Sequence, residues 1–323
     1  MGDFRVTKVI GLFRVIRITN SCAVFVAAFM GGLLSMGDRI VSGTRQLLSE
    51  NGQPLPRSAG FLTGDGGFPS ANGELGTIAL AAASMCFLAA FGYALNDYYD
   101  VRADVVNRPS RPIPSGTLSK KSVLGVAVLC VIVAAMFALR LRPGLQVWLV
   151  GMAGLVWLYS ARIKRKGLAG NVLVSALAGS TLLVGGLSAG YLKPTFFPAL
   201  LAFLSNLPRE ILKDVQDLEG DSLDGGRSVA SAKGEGFALR LASVLVLVLV
   251  AVAFFPYATA LYNRYYLAIV LLLDAFLIWI AVTLWGFSRG QGTAGEQRKL
   301  ETPIRILKLT MLAGLLAIGL GSL

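Results

Sequence analysis

Nine mostly apolar runs divide this chain, roughly at residues 12–36, 77–97, 121–139, 145–161, 170–191, 195–213, 237–257, 265–287 and 304–321. A helix of about 17–25 such residues is long enough to cross the hydrocarbon core of a bilayer. The run TIALAAASMCFLAAFGYAL at 77–95 is typical. Length alone, 323 residues, would suggest two soluble domains. The composition overrules that: 15% of residues are charged, against about 25% in a soluble domain. The reading is an all-α membrane protein, a single transmembrane domain over residues 1–323 built as one bundle of nine helices.

Charge orients the bundle. The formal net charge is +12, with 30 basic and 18 acidic residues. The basic residues cluster in the short loops between runs, as in a membrane protein that keeps its positive loops inside, so nucleic acid is not expected as a partner. With the N-terminus inside, 23 of the 30 basic residues fall on the inner side and 7 on the outer. The expected location is the cell membrane, multi-pass, with the N-terminus on the cytoplasmic face. Arg5, Lys8, Arg14 and Arg17 before SCAVFVAAFMGGLLSM give the start a look of a signal peptide. Arg14 and Arg17 interleave with apolar residues and eight more runs follow, so the first run is expected to stay as a span. The Gly-, Ser- and Pro-rich stretch at about 37–76 is expected as a long outer loop.

The chain contains no histidine, which removes the commonest general base and the commonest transition-metal ligand. Cys22, Cys86 and Cys130 all lie in apolar runs and form no CxxC pair. They read as packing residues rather than as a disulfide or zinc site.

The acidic residues are uneven. Half of them lie in two segments, NDYYDVRAD at 96–104 and PREILKDVQDLEGDSLDGG at 208–226, at the inner ends of the second and sixth runs. Asn96, Asp100 and Asp104 stand at i, i+4 and i+8, one face if the helix continues. Asp97 falls off that face and is expected to matter less. Asp214, Asp217 and Asp221 stand at i, i+3 and i+7, again one face. Like charges at helical spacing repel, so a compensating cation is implied. Hard oxygen ligands on two facing helices suit Mg²⁺, which binds one or two carboxylates together with phosphate oxygens. Asn96, Asp100, Asp104, Asp214, Asp217 and Asp221 are therefore candidate metal ligands. An ion pathway would fit acids at the bilayer midplane, whereas these sit at span ends on one side.

Basic residues surround both segments: Arg108 and Arg111 in NRPSRPIPSG, Lys164 with Arg165 and Lys166 in YSARIKRKGLAGN, and Arg209 and Lys213 in REILKD. Metal ions and cations together would stabilise the charge that builds on a departing diphosphate.

NxxxDxxxD followed by NRPxRPxPSG, with DVQDLEGD further on, resembles the UbiA-type intramembrane prenyltransferases. Arg17 and Asn20 match the family's RxxN in the first span, and Tyr159, Ser160, Lys164 and Asn171 match its YSxxxKR…GN segment. The resemblance covers nearly the whole chain, in order. It implies nine helices around a central cavity open sideways to lipid. It also implies Mg²⁺ at the two motifs, Asp100, Asp104, Asp217 and Asp221 in catalysis, and a polyprenyl diphosphate whose allylic cation is captured by an acceptor. Arg17, Asn20, Asn96, Arg108, Arg111, Tyr159, Lys164, Asn171, Arg209 and Lys213 would bind substrate.

Members acting on aromatic acceptors carry a tyrosine in the second motif, as DxxYxxxD. Here that place is Asp217. The segment looks more like the branch that attaches geranylgeranyl, from geranylgeranyl diphosphate, to geranylgeranylglyceryl phosphate. Lys164, Arg165 and Lys166 would suit that acceptor's phosphate. Prenylation of an aromatic ring is the alternative, since NRPxRPxPSG also occurs in chlorophyll-synthase-like members.

Overall fold

A computed structural model describes residues 2–47, 71–223, 227–290 and 300–322. These residues are mainly helical, with turns between the helices and an isolated bridge between Lys166 and Arg227. Helices are numbered in chain order: α1 (Gly2–Val15), α2 (Ile18–Leu47), α3 (Ala71–Tyr99), α4 (Val101–Asn107), α5 (Lys120–Ala138), α6 (Pro143–Leu158), α7 (Leu168–Ser188), α8 (Lys193–Gln216), α9 (Leu218–Leu223), α10 (Val229–Lys233), α11 (Glu235–Ala258), α12 (Arg264–Phe287) and α13 (Glu301–Gly321). A π-helical turn, Tyr159–Ile163, continues α6.

Among the described residues, eight helices are long and apolar enough to cross a membrane: α2, α3, α5, α6 with its π turn, α7, α11, α12 and α13. The ninth expected span falls on α8. It is 24 residues long but carries Pro198, Pro208, Arg209, Glu210, Lys213 and Asp214, so its composition does not read as a membrane helix. It nevertheless packs inside the bundle, between α7 and α11. α2, α7, α8, α11, α12 and α13 follow one another around a ring that α13 closes on α2, with α3 packed against α2 and α7, α6 against α3 and α7, and α5 against α3.

The apolar side chains face outward as well as inward. Val147 is 73% exposed and Val150 72% exposed, which water would penalise and lipid would not. Inside, small residues bring helices together. A Cβ on Gly185 would stand 2.0 Å from the carbonyl oxygen of Ala28, so α7 and α2 touch backbone to backbone there.

Three sequence expectations need correction. The first span is not one helix from residue 12. The chain breaks at Arg17, whose φ of 45° lies in the left-handed region, and α2 starts at Ile18. That turn lets the Arg17 guanidinium reach back to Asp97. The loop expected at 37–76 is shorter at both ends, because α2 continues to Leu47 and α3 begins at Ala71. Residues 48–70 lie outside those described. Finally, α3 gives way to α4 at Asp100, a residue near the bridge region (φ −89°, ψ 13°), while bonds from Asp100 N to Asn96 O (2.9 Å) and from Asp104 N to Asp100 O (2.8 Å) continue. The ladder therefore bends without ending.

Candidate active site

The two acidic segments meet. α4 extends the end of α3, α9 extends the end of α8, and α4 packs against α9. Asn107 fastens them. Its Nδ2 donates to the carbonyl oxygen of Asp217 at 2.8 Å, and its Oδ1 accepts from Gly220 N at 3.0 Å. Gly220 has to be glycine for this approach, since a Cβ there would stand 2.4 Å from the Asn107 amide.

Asp97, Asp100, Asp104, Asp214 and Asp217 each have a cation or amide against them. Arg111 Nη1 donates to Asp104 Oδ2 at 2.5 Å and lies 3.2 Å from Asp97 Oδ1. Arg17 Nη2 donates to the same Asp97 oxygen at 3.0 Å. Lys164 donates to Asp100. Arg108 Nη2 donates to Asp217 Oδ2 at 2.6 Å, and Asn171 Nδ2 donates to Asp214 Oδ2 at 2.9 Å. Burial pushes the Asp104 carboxyl up, against the opposing pull of Arg111. Burial also pushes Asp221 up, to about 6, with Lys164 lowering it and Asp217 and Asp100 raising it. Among the described residues, no three acidic or cysteine side chains converge closely enough to hold a metal ion unaided.

Two spaces open beside this cluster. Asp100, Asp214 and Asp221 line a recess of about 30 Å³ together with Lys164, Arg165, Arg227 and Ser228. The π turn explains how Lys164 arrives there. The bond from Lys164 N to Tyr159 O, 2.9 Å, widens the helix by one residue, as such turns do at functional sites. The larger space is a chamber of about 550 Å³ inside the ring of helices. Arg17, Asn20, Asn96, Arg108, Arg111 and Tyr159 reach it from one side, and Arg209 and Lys213 from α8. The rest of its lining is mainly apolar, including Met85, Leu88, Val156, Leu177, Leu249, Val270 and Leu277.

Unpartnered polar atoms collect in this chamber. Asn96 Oδ1, Ser160 Oγ, Arg209 Nε and Asp274 Oδ1 are buried without a hydrogen-bond partner, and all four residues line it. Buried polar groups are nearly always satisfied, so their collection in one place marks where a polar ligand belongs.

Every expected site residue is thus found at this end of the bundle, but the structure adds others. Asp97, expected to point away, is 3% exposed and pairs with two arginines. The helical-face argument failed because it counted α3 alone, and Arg17 and Arg111 come from elsewhere in the chain. Asn107 stands first in the NRPSRPIPSG motif, where attention fell on the arginines. Lys308 is a lone lysine in the last span, and an ionisable residue at membrane depth is a signal in itself. Arg165 and Lys166 are exposed, and Arg165 O accepts from Arg227 N at 3.1 Å; Arg165 borders the recess, and neither residue lines the chamber.

Such a molecule is a helical membrane protein whose interior joins an apolar chamber to a rim of facing carboxylates and cations, the form of an enzyme for lipid-tailed anions. The chain matches the UbiA prenyltransferase family over residues 55–296. The digeranylgeranylglyceryl phosphate synthase of Methanopyrus kandleri is 38% identical over 238 residues, covering 74% of this chain and 83% of that protein. A solved structure of a digeranylgeranylglyceryl phosphate synthase in membranes superposes with a TM-score of 0.66 at 23% identity, covering 98% of each chain. A UbiA homologue from Archaeoglobus fulgidus, bound to DMAPP and Mg²⁺, superposes with a TM-score of 0.52 at 17% identity, covering 95% of this chain and 99% of that one. The chain belongs to the UbiA prenyltransferase family, and it is a prenyltransferase.

Proposed function

We propose that the enzyme transfers a geranylgeranyl group from geranylgeranyl diphosphate to the alcohol of geranylgeranylglyceryl phosphate, a step of ether-lipid synthesis. The observation that carries this is the meeting of the two carboxylate segments at the rim of an apolar chamber, in a chain 38% identical to a protein named for that synthesis.

The donor set fits Mg²⁺. Asp100, Asp214 and Asp221 open into one small recess, and the Lys164 ammonium already lies against Asp100 as a cation would. Asn96 Oδ1 is buried and unpartnered beside them. Asn96, Asp100, Asp104, Asp214, Asp217 and Asp221 would hold the metal, which would supply Lewis-acid stabilisation of the charge that builds on the leaving diphosphate. Mg²⁺ accompanies DMAPP in the Archaeoglobus fulgidus homologue.

Arg108, Arg111 and Lys164 hold the remaining oxygens of the leaving group. Asp97 and Asp104 keep Arg111 from swinging away. As the carbon–oxygen bond of the donor breaks, its electron pair leaves with the diphosphate. The acceptor oxygen then forms the new ether bond. With no histidine in the chain, the hydroxyl proton passes to an oxygen base, a motif carboxylate or the diphosphate itself. The apolar wall, Met85, Leu88 and Val156 among its residues, lodges the prenyl tail and keeps water from the allylic cation. The basic-residue bias supports placing the N-terminus and both acidic segments on the cytoplasmic face.

The test is product formation by the purified protein from labelled geranylgeranyl diphosphate, with geranylgeranylglyceryl phosphate or an aromatic acceptor, with and without Mg²⁺. A magnesium-dependent diether phosphate is expected. Labelled product with the aromatic acceptor alone would overturn the choice of acceptor.

A further inference from the structure

The chamber holds more positive charge than its own acids balance. Arg209, Lys213 and Lys308 all line it. Arg209 Nη1 and Lys213 Nζ share a single carboxylate oxygen, Glu210 Oε1, at 3.1 and 2.5 Å. Lys308 Nζ donates to the neutral Asn20 Oδ1 at 2.7 Å. These three cations together contact one carboxylate, and with Asp274, the chamber's other acid among the described residues, counted against them they still outnumber the acids by one. Arg209 Nε is a buried donor with no partner, and its Nη1 otherwise reaches only as far as Asn206 Oδ1, at 3.4 Å. Cations crowded together, with a spare donor aimed into a cavity, describe an anion site.

Its place differs from that of the metal-facing carboxylates. Lys308 belongs to α13, which packs against α12, α8 and α2. Asp100, Asp104 and Asp221 belong to the junction of α3, α4 and α9, where Arg108, Arg111 and Lys164 already provide cations. Arg209 sits about two helical turns before the end of α8, so the excess charge lies deeper in the bundle than the aspartate rim.

We infer that Lys308 and Arg209, with Asn20 beside them, bind the phosphate monoester of the acceptor. This rests on the reading of the acceptor as a glyceryl phosphate lipid. A phosphate monoester carries a charge of about −1.5 to −2 near neutral pH, which calls for cations that the chamber's own acids do not fully balance. The chemistry of such an acceptor requires the arrangement. Its hydroxyl sits on the carbon next to the one that bears the phosphate, so the phosphate must come close to the departing diphosphate when the hydroxyl reaches the allylic carbon. Two anions side by side repel unless fixed cations stand with them. The inference moves acceptor recognition from the exposed Arg165 and Lys166 to the chamber interior, and makes Lys308 a specificity residue.

The experiment compares geranylgeranylglyceryl phosphate with its phosphate-free analogue, geranylgeranylglycerol, at saturating geranylgeranyl diphosphate. The enzymes are wild type, Lys308→Met and Lys308→Arg. Wild type should prefer the phosphorylated acceptor. Lys308→Met should lose about 10- to 100-fold of that preference in kcat/KM, the worth of one charged hydrogen bond. KM for the diphosphate should stay unchanged, and Lys308→Arg should recover most of the loss. Equal use of both acceptors by wild type, or a loss that falls on KM for the diphosphate, would overturn the inference while leaving prenyl transfer to a glyceryl lipid intact. Transfer to neither glyceryl lipid by wild type would refute the acceptor reading itself. Thermal unfolding of Lys308→Met should match wild type, since its stem still fills the same space.

Discussion

Asp97 gives the sharpest test of how the site is held together. Its side chain is 4% exposed and bridges Arg17, at 3.0 Å, and Arg111, at 3.2 Å. Asp97→Ala leaves both guanidiniums facing a buried gap. Arg111 keeps Asp104, and Arg17 keeps the face of Tyr93, 4.9 Å from the ring centre. Breaking a buried pair by removing one partner costs about 3–5 kcal/mol. Because Arg17 is 25% exposed and Arg111 retains a partner, the lower end applies, about 3 kcal/mol, or roughly 100-fold in the population of the ordered site. Initial rates with labelled diphosphate should fall by that order, and the variant should unfold at lower temperature in detergent. The loss should rival that of Asp104→Ala. An Asp97→Ala enzyme within about threefold of wild-type rate, with unchanged thermal unfolding, would refute the two-arginine bridge.

Other outcomes follow from single contacts. Asn107→Ala removes both bonds that fasten α4 to α9, worth about 1–3 kcal/mol together. It should raise KM for the diphosphate by about tenfold while the bundle stays folded by circular dichroism, and an unchanged KM would show that the fastening is not used. Gly185→Leu forces a side chain where even a Cβ would lie 2.0 Å from Ala28 O; loss of folded protein in detergent is expected, and wild-type yield would contradict the close contact of α2 and α7. Burial holds the Asp221 carboxyl at about 6, above its unfolded value, so without metal its contribution favours the fold at low pH and is lost as pH rises from about 4 through 6. A divalent ion needs the ionised form. Its affinity, followed by calorimetry, should therefore rise with pH up to about 6–7 and then level off; an affinity flat from pH 5 to 7 would exclude Asp221 as a ligand.

Much of this was legible from sequence because it depends on local pattern. Eight spans were readable because lipid demands long uninterrupted apolar helices; α8 was legible as a helix, but its charges keep it from reading as a ninth span. The two acidic segments were readable because carboxylates beside apolar runs are costly unless used. What escaped depends on partners distant in the chain. Arg17 meets Asp97 across 80 positions and Lys308 meets Asn20 across 288. No helical period relates such residues, so spacing alone points to neither Asp97 nor Lys308. The break at Arg17 was hidden for the same reason: the partners of its side chain, Asp97 and Tyr93, lie far along the chain. The continuation of α2 to Leu47 was masked by glycines and serines that usually end helices.

The central claim is that the two acidic segments form one grip on one diphosphate. A double-mutant cycle on Asp100→Ala and Asp221→Ala, from opposite segments but lining one recess, tests it most directly, with magnesium-dependent turnover of labelled geranylgeranyl diphosphate as the readout. Residues that act as a unit are grossly non-additive, so the double variant should be scarcely slower than the worse single variant. If the two losses multiply, the segments act independently, and the account of a single shared grip is wrong.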